Sequence, residues 1–253
     1  MRFIKQLIYL VIFIVIMGIA TFGFYSYFFT PAPPTPTPYV FKPIEIKFTK
    51  SINVKDFDYD LIAKIRNPNT EHGSSNLVYK FNLYGSDNNL IASLDEGTYI
   101  LPGQTKYIVH TAAVLSEILE RVEVIIESVE WERLSDLVPE ETSLVINQKE
   151  LKNNPAPGIS IGLNGILLNN SGFDFSEVNI VGVLFDGEDN IIGVGESVVY
   201  TVEAQKDRSF SVVWSEEIIG SVVKTDIGAY TDVFNNSNFI QKHGTGEKLQ
   251  RYY

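Results

Sequence analysis

The feature that most limits what this chain can fold into is a repeat. Gly165–Gly193 reads GILLNNSGFDFSEVNIVGVLFDGEDNIIG, and about a hundred residues earlier Ala63–Ala92 reads AKIRNPNTEHGSSNLVYKFNLYGSDNNLIA. Both run apolar strand, Asn-rich turn, apolar strand, acidic or Asn-rich turn, apolar strand. Self-similarity of this kind implies two successive copies of one domain, and about 95 residues per copy suffices to bury a core without crosslinks. Crosslinks are not an option here. The 253-residue chain has no cysteine, which excludes disulfide scaffolds, thiolate metal sites, cysteine nucleophiles and lipid attachment at cysteine.

Ahead of the repeats, Leu7–Phe29 contains no charged residue. As a helix it would span about 34 Å, enough for a bilayer core. Arg2 and Lys5 precede it and no cation follows before Lys42, so the positive-inside rule predicts a cytoplasmic N-terminus with the rest of the chain outside. A cleaved signal peptide would have a shorter apolar core ending in small residues. This run is long and ends in Phe24, Tyr25, Tyr27, Phe28 and Phe29, which predicts an uncleaved signal anchor. Thr30–Pro38, with five of the eleven prolines, predicts an extended polyproline spacer. Arg2 and Lys5 being the only charges so far, the net charge of −11 becomes −13 beyond them. So acidic a surface, with no basic stripe, excludes nucleic acid as a partner.

Alternation of apolar and polar residues then predicts seven short strands per repeat, at about 44–49, 57–66, 77–84, 90–94, 97–101, 105–111 and 121–133, with a short helix at 114–119. In the second repeat they fall at about 143–148, 159–168, 177–186, 190–195, 197–203, 208–214 and 221–234. Lys149–Gly158 reads as a polar, proline-bearing loop, and the chain from Asn235 as a frayed tail. The predicted fold class is all-β: two tandem immunoglobulin-like sandwiches behind one transmembrane helix. The expected divisions are an anchor at 1–29, a Pro-rich linker at 30–42, sandwiches at 43–138 and 139–239, and a polar tail at 240–253. The register of the repeats is 101 residues from Leu83/Leu184 to Gln104/Gln205, which places Tyr84 over Phe185.

Phe81-Asn82-Leu83-Tyr84-Gly85 resembles the F-x-L-Y-D signature of FxLYD domains, with Gly in place of Asp. Gly182-Val183-Leu184-Phe185-Asp186 keeps the Leu, aromatic and Asp but lacks the leading Phe. Arg66-Asn67-Pro68-Asn69 is similar to the Asn-Pro-Asn turn of water-stress and hypersensitive-response domains, relatives of the second late embryogenesis abundant family. Asn169-Asn170-Ser171 is a looser match. The resemblance covers most of residues 43–239. It implies a β-sandwich of the kind found behind a membrane anchor in prokaryotes, with no catalytic residues to carry over, and suggests a role in envelope stress or desiccation.

The residues able to carry chemistry do not combine into a site. His72, His110 and His243 lack metal-ligand spacing. Asp56, Asp58 and Asp60 would share a strand face but lack the glycine and glutamate of a calcium loop. The Asp186–Asn190 turn is acidic, yet its counterpart Gly85–Asn89 is less so, which points to turn geometry. Ser221 and Lys224 match S-x-x-K, but on a strand they would face opposite ways. Trp131 and Trp214 read as packing residues, with ligand stacking as the alternative. Asn169 and Asn235 match the glycosylation acceptor pattern by chance. No catalytic, cofactor or metal site is expected. The expected role is a non-catalytic binding or scaffolding module of the cell envelope. It would touch the bilayer through residues 7–29 and otherwise meet envelope proteins or other extracytoplasmic components. A stress- or desiccation-protective protein and an envelope hydrolase with a dispersed site are the alternatives.

Overall fold

The computed structural model describes residues 2–29, 39–134 and 142–239. The chain divides into two compact units, Met1–Val40 and Phe41–Tyr253. In the first, helix α1 (Arg2–Phe29) runs 28 residues with no buried side chain. It is long and apolar enough to cross a membrane, with a mean hydropathy of 2.7 over its best window. A helix apolar on every side needs an apolar surrounding all round. The spacer expected at Thr30–Pro38 and the tail expected at 240–253 lie outside the described residues, as does the boundary at 138/139.

The second unit is all-β. The first repeat contributes β1 (Glu45–Lys55), β2 (Asp58–Arg66), β3 (His72–Tyr84), β4 (Leu90–Ile100), β5 (Thr105–Val114) and β6 (Arg121–Arg133). The second contributes β7 (Leu144–Ala156), β8 (Ile159–Asn169), β9 (Phe175–Phe185), β10 (Ile191–Val202), β11 (Asp207–Trp214) and β12 (Lys224–Tyr230). Each repeat forms two three-stranded sheets with the same connectivity: β1-β2-β5 and β4-β3-β6, then β7-β8-β11 and β10-β9-β12. All pairs are antiparallel.

Six strands per repeat replace the seven expected. The segments read as 90–94 and 97–101 are one strand, β4, because Glu96 and Gly97 pair with Tyr79 and Val78 without a break. The same holds across Glu196 in β10. The helix expected at 114–119 does not form. Val114 still belongs to β5, and the chain then bends at 116–117, with Leu115 N bonded to Phe57 O and Glu120 N to Tyr84 O on either side. The loop expected at Lys149–Gly158 is instead the far half of β7, which reaches a two-residue turn at Pro157-Gly158. Gly158 takes a positive φ of 77° there, as Asp56 does (48°) in the corresponding β1–β2 turn. The segment after Asn235 is not frayed up to Phe239, whose ring is 2% exposed and packs 5.0 Å from Phe173.

The 101-residue register survives in detail. Leu83 pairs with Ala92 and Leu184 with Gly193, while Tyr84 pairs with Leu90 and Phe185 with Ile191. Gly85 N bonds to Asn89 O and Asp186 N to Asn190 O, each at 3.0 Å. Arg121 lies over the Tyr84 ring at 3.8 Å and Lys224 over the Phe185 ring at 5.0 Å.

The inward faces of each repeat make its core: Leu61, Ile65, Leu77, Phe81 and Leu83 in the first, and Leu163, Leu167, Phe175, Ile180 and Leu184 in the second. Alternation accounts for these but not for Ile62, which faces outward from β2 and is fully buried. Ile62 and Tyr107 belong to the core of the second repeat, because the β1-β2-β5 sheet packs its outer face against β10 and β12, and Tyr99 from β4 joins them there. Burying one such isoleucine contributes about 2 kcal/mol. The two repeats are therefore a single packed body with a seam between them.

Candidate functional site: the seam between the repeats

The seam is held by tyrosines. Tyr107 donates its backbone N–H to the Tyr230 hydroxyl at 3.0 Å and its own hydroxyl to Asp226 Oδ2 at 2.7 Å. The Tyr230 ring folds back over Gly228, where a Cβ would lie 2.1 Å from the phenol oxygen, so only glycine leaves room. Burial pushes both phenols up, Tyr230 to about 12, and the Asp226 carboxylate adds to the rise at Tyr107. Both stay neutral at physiological pH, Tyr107 as donor to Asp226 and Tyr230 as acceptor from Tyr107 N.

Beside these contacts lies a polar cleft of about 400 Å³, at the open edge of the first sandwich between β4 and β5. Lys106 is 4% exposed there. It donates to Thr98 Oγ1 (2.9 Å) and Tyr99 O (3.1 Å), and its ammonium sits 3.8 Å over the Tyr99 ring. Burial brings its pKa down to about 7, opposed by the more distant carboxylates of Asp232 and Glu196. Glu96 Oε1 meets His110 Nδ1 at 2.8 Å. Glu196 reaches solvent, yet the protein around it, and next the Glu96 charge, raise its pKa.

A second groove, about 540 Å³, opens on the other side of Glu196 between the edge strands β1 and β10. Its apolar surface includes Ile52 and Val54 from β1, Ile191 and Ile192 from β10, and Ile218 and Ile219 beyond β11. Trp214 closes it on the inner side. The indole Nε1–H donates to Val194 O at 2.8 Å, and the ring packs on Gly182, Gly193 and Gly195. The charged lining residues are Asp60, Glu196, Glu216 and Glu217, all acidic. Asp60 accepts from Ala112 N at 2.9 Å, and burial raises its pKa.

His72 is buried at the first repeat's pole, its ring edge-on to Phe41 at 5.1 Å, and burial lowers its pKa. His110 is at the seam, and His243 lies outside the described residues. Among the described residues no group of three His, Asp or Glu comes together to hold a metal ion. Asp56 sits in the hairpin turn, so the expected three-carboxylate strand face is broken, and only Asp60 reaches the groove. Asp186 spends its carboxylate on its own turn, accepting from Glu188 N, Asn190 N and Asn190 Nδ2. Ser221 precedes β12 rather than lying in it, and Lys224 bonds Asp189 at 2.9 Å. Trp131 stacks on Phe41 at 5.0 Å, so Phe41, expected in the linker, packs on the first sandwich. Asn169 is fully buried, which denies its glycosylation pattern an acceptor, and Asn235 bonds Asp232. Sequence reasoning missed Lys106, Glu196 and the Ile218–Ile219 corner. The one available signal was a lysine flanked by apolar strand residues.

Comparison with models of known protein families finds no match, and comparison with curated proteins finds no relative.

Proposed function

We propose that this protein is a membrane-anchored, extracytoplasmic, non-catalytic binding or scaffolding module of the cell envelope, and that the seam between its sandwiches is the binding surface. Arg2 and Lys5 ahead of α1, with no cation after it until Lys42, support a cytoplasmic N-terminus in the plasma membrane. The strand orders 1-2-5 and 4-3-6 support the immunoglobulin-like reading. The FxLYD resemblance fits the place of Phe81 and Leu83, both fully buried in the first core. The observation that carries the proposal is the groove whose walls come from both repeats, held by the Tyr107–Tyr230 and Tyr107–Asp226 bonds. A groove framed by two packed domains is preorganised for a partner.

A photo-crosslinking residue at Ile219, 77% exposed in the groove, and another at Ile125 on β6, test this in native membranes. Discrete adducts from Ile219 and none from Ile125 are expected. Equal adducts at both, or none at either, would defeat the proposal and favour a protective role that needs no fixed partner.

A further inference from the structure

The groove between β1 and β10 joins three properties that together describe a ligand. It is elongated: the six consecutive residues Ile191–Glu196 line it, and a strand segment of that length extends about 17 Å. It is apolar along its length, through Ile52, Val54, Ile191, Ile192, Ile218 and Ile219. Among the described residues it is bordered by four carboxylates and by no lysine or arginine.

The carboxylates are not spent on the fold. Asp60 makes one bond, to Ala112 N, and Glu196, Glu216 and Glu217 have no ion-pair partner among the described residues. Like charges lining one groove repel one another and focus a negative potential along it. Burial raises the pKa of Asp60 and of Glu196, and the Glu96 and Asp60 charges add to the rise at Glu196, so ionising either group carries a cost. A bound cation would relieve it. The exposed corner residue Ile219 (77%) and the partly buried Ile218 stand at the mouth, where an apolar side chain of a ligand would cover them.

We infer that this groove docks an extended segment of a partner protein in which basic side chains alternate with branched apolar ones. This rests on the reading of the chain as a binding module and names the chemistry of its partner. Alternation suits the geometry. In an extended chain successive side chains point to opposite sides, so one set meets the isoleucines while the other reaches the carboxylates at the rim. The length of the groove selects a segment of about five residues over a compact amine.

Full-length protein in phosphatidylcholine nanodiscs, titrated against fluorescently labelled eight-residue peptides, tests this by anisotropy. A peptide alternating Val and Lys should bind, more weakly as salt rises. Val-Glu and Ser-Lys alternations should bind at least about tenfold less tightly. The double variant E216Q/E217Q, altering two exposed side chains away from either core, should weaken Val-Lys binding about fivefold. Ile219→Glu should weaken Val-Lys binding as well. Equal affinity for Val-Lys and Val-Glu, or unchanged affinity in both variants, would overturn the inference. So would competition by spermidine at the peptide's own affinity, which would reassign the groove to a small amine. Any of these results combined with position-specific crosslinks at Ile219 would sink the basic segment while leaving the binding module standing.

Discussion

Asn67 and Asn169 are the same residue in two copies of one device. Each is fully buried at the end of the second strand of its repeat. Asn67 Nδ2 donates to His72 O (2.7 Å) and Leu101 O (3.0 Å), and its Oδ1 accepts from Asn69 N (2.9 Å). Asn169 Nδ2 donates to Phe173 O (2.7 Å) and Val202 O (3.2 Å), and its Oδ1 accepts from Ser171 N (3.1 Å). One amide thus ties the turn after the second strand to the connection between the fourth and fifth. Alanine would leave several buried backbone groups unpaired, so N67A and N169A should each cost about 2–4 kcal/mol. Chemical denaturation measures this, and a loss below about 1 kcal/mol at either position would remove the device from the account.

The seam should be separable from the sandwiches. Tyr107→Phe removes the bond to Asp226 while keeping the ring, and Gly228→Ala drives a methyl into the Tyr230 phenol. Expected losses are about 1–2 kcal/mol for the first and about 1–3 kcal/mol for the second. Hydrogen exchange should show new opening at β5 and β12 with β3 and β9 still protected. Uniform loss of protection across both repeats would mean that the seam is not a distinct contact.

Lys106 predicts a pH dependence with a definite sign. Its pKa is about 7 in the folded state against about 10.4 unfolded, so between those values the unfolded chain binds more protons. Stability from this group therefore rises with pH across that window and is flat below it. The melting temperature of the parent, minus that of Lys106→Met, should climb between pH 7 and 10. A flat difference would show that the ammonium is not held in a low-dielectric place. Glu196 and Asp60 act in the acid range with the opposite slope. Their raised values add stability that is full below the unfolded pKa and is lost as pH rises through the folded one.

Calcium should leave the melting temperature unchanged. Asp186 has committed its oxygens to Glu188 and Asn190 of its own turn, and Asp189 to Lys224. A site filled at a hundredfold excess over Kd would add about 2.7 kcal/mol. A rise of several degrees at millimolar calcium would contradict the turn reading.

The sequence alone specifies the membrane-length helix, the two-copy plan and most of the strand-forming stretches of each repeat. These depend on period and composition, which are local. It misjudged continuity where a weak residue sat mid-strand. Asp95 and Glu96 read as a break, but their paired neighbours Lys80 and Tyr79 on β3 keep the backbone extended regardless of propensity. It also took Lys149–Gly158 for a loop, since nothing local tells an exposed edge strand from one. What the outward faces meet is set by the packing of one sandwich on the other. Ile62, Tyr107 and Lys106 lie on strands whose pattern is the same whether the far side faces water or a second sandwich. The groove brings Ile52 beside Ile219, residues far apart along the chain. No periodicity encodes that contact, because it follows from how two finished domains pack and not from how either one folds.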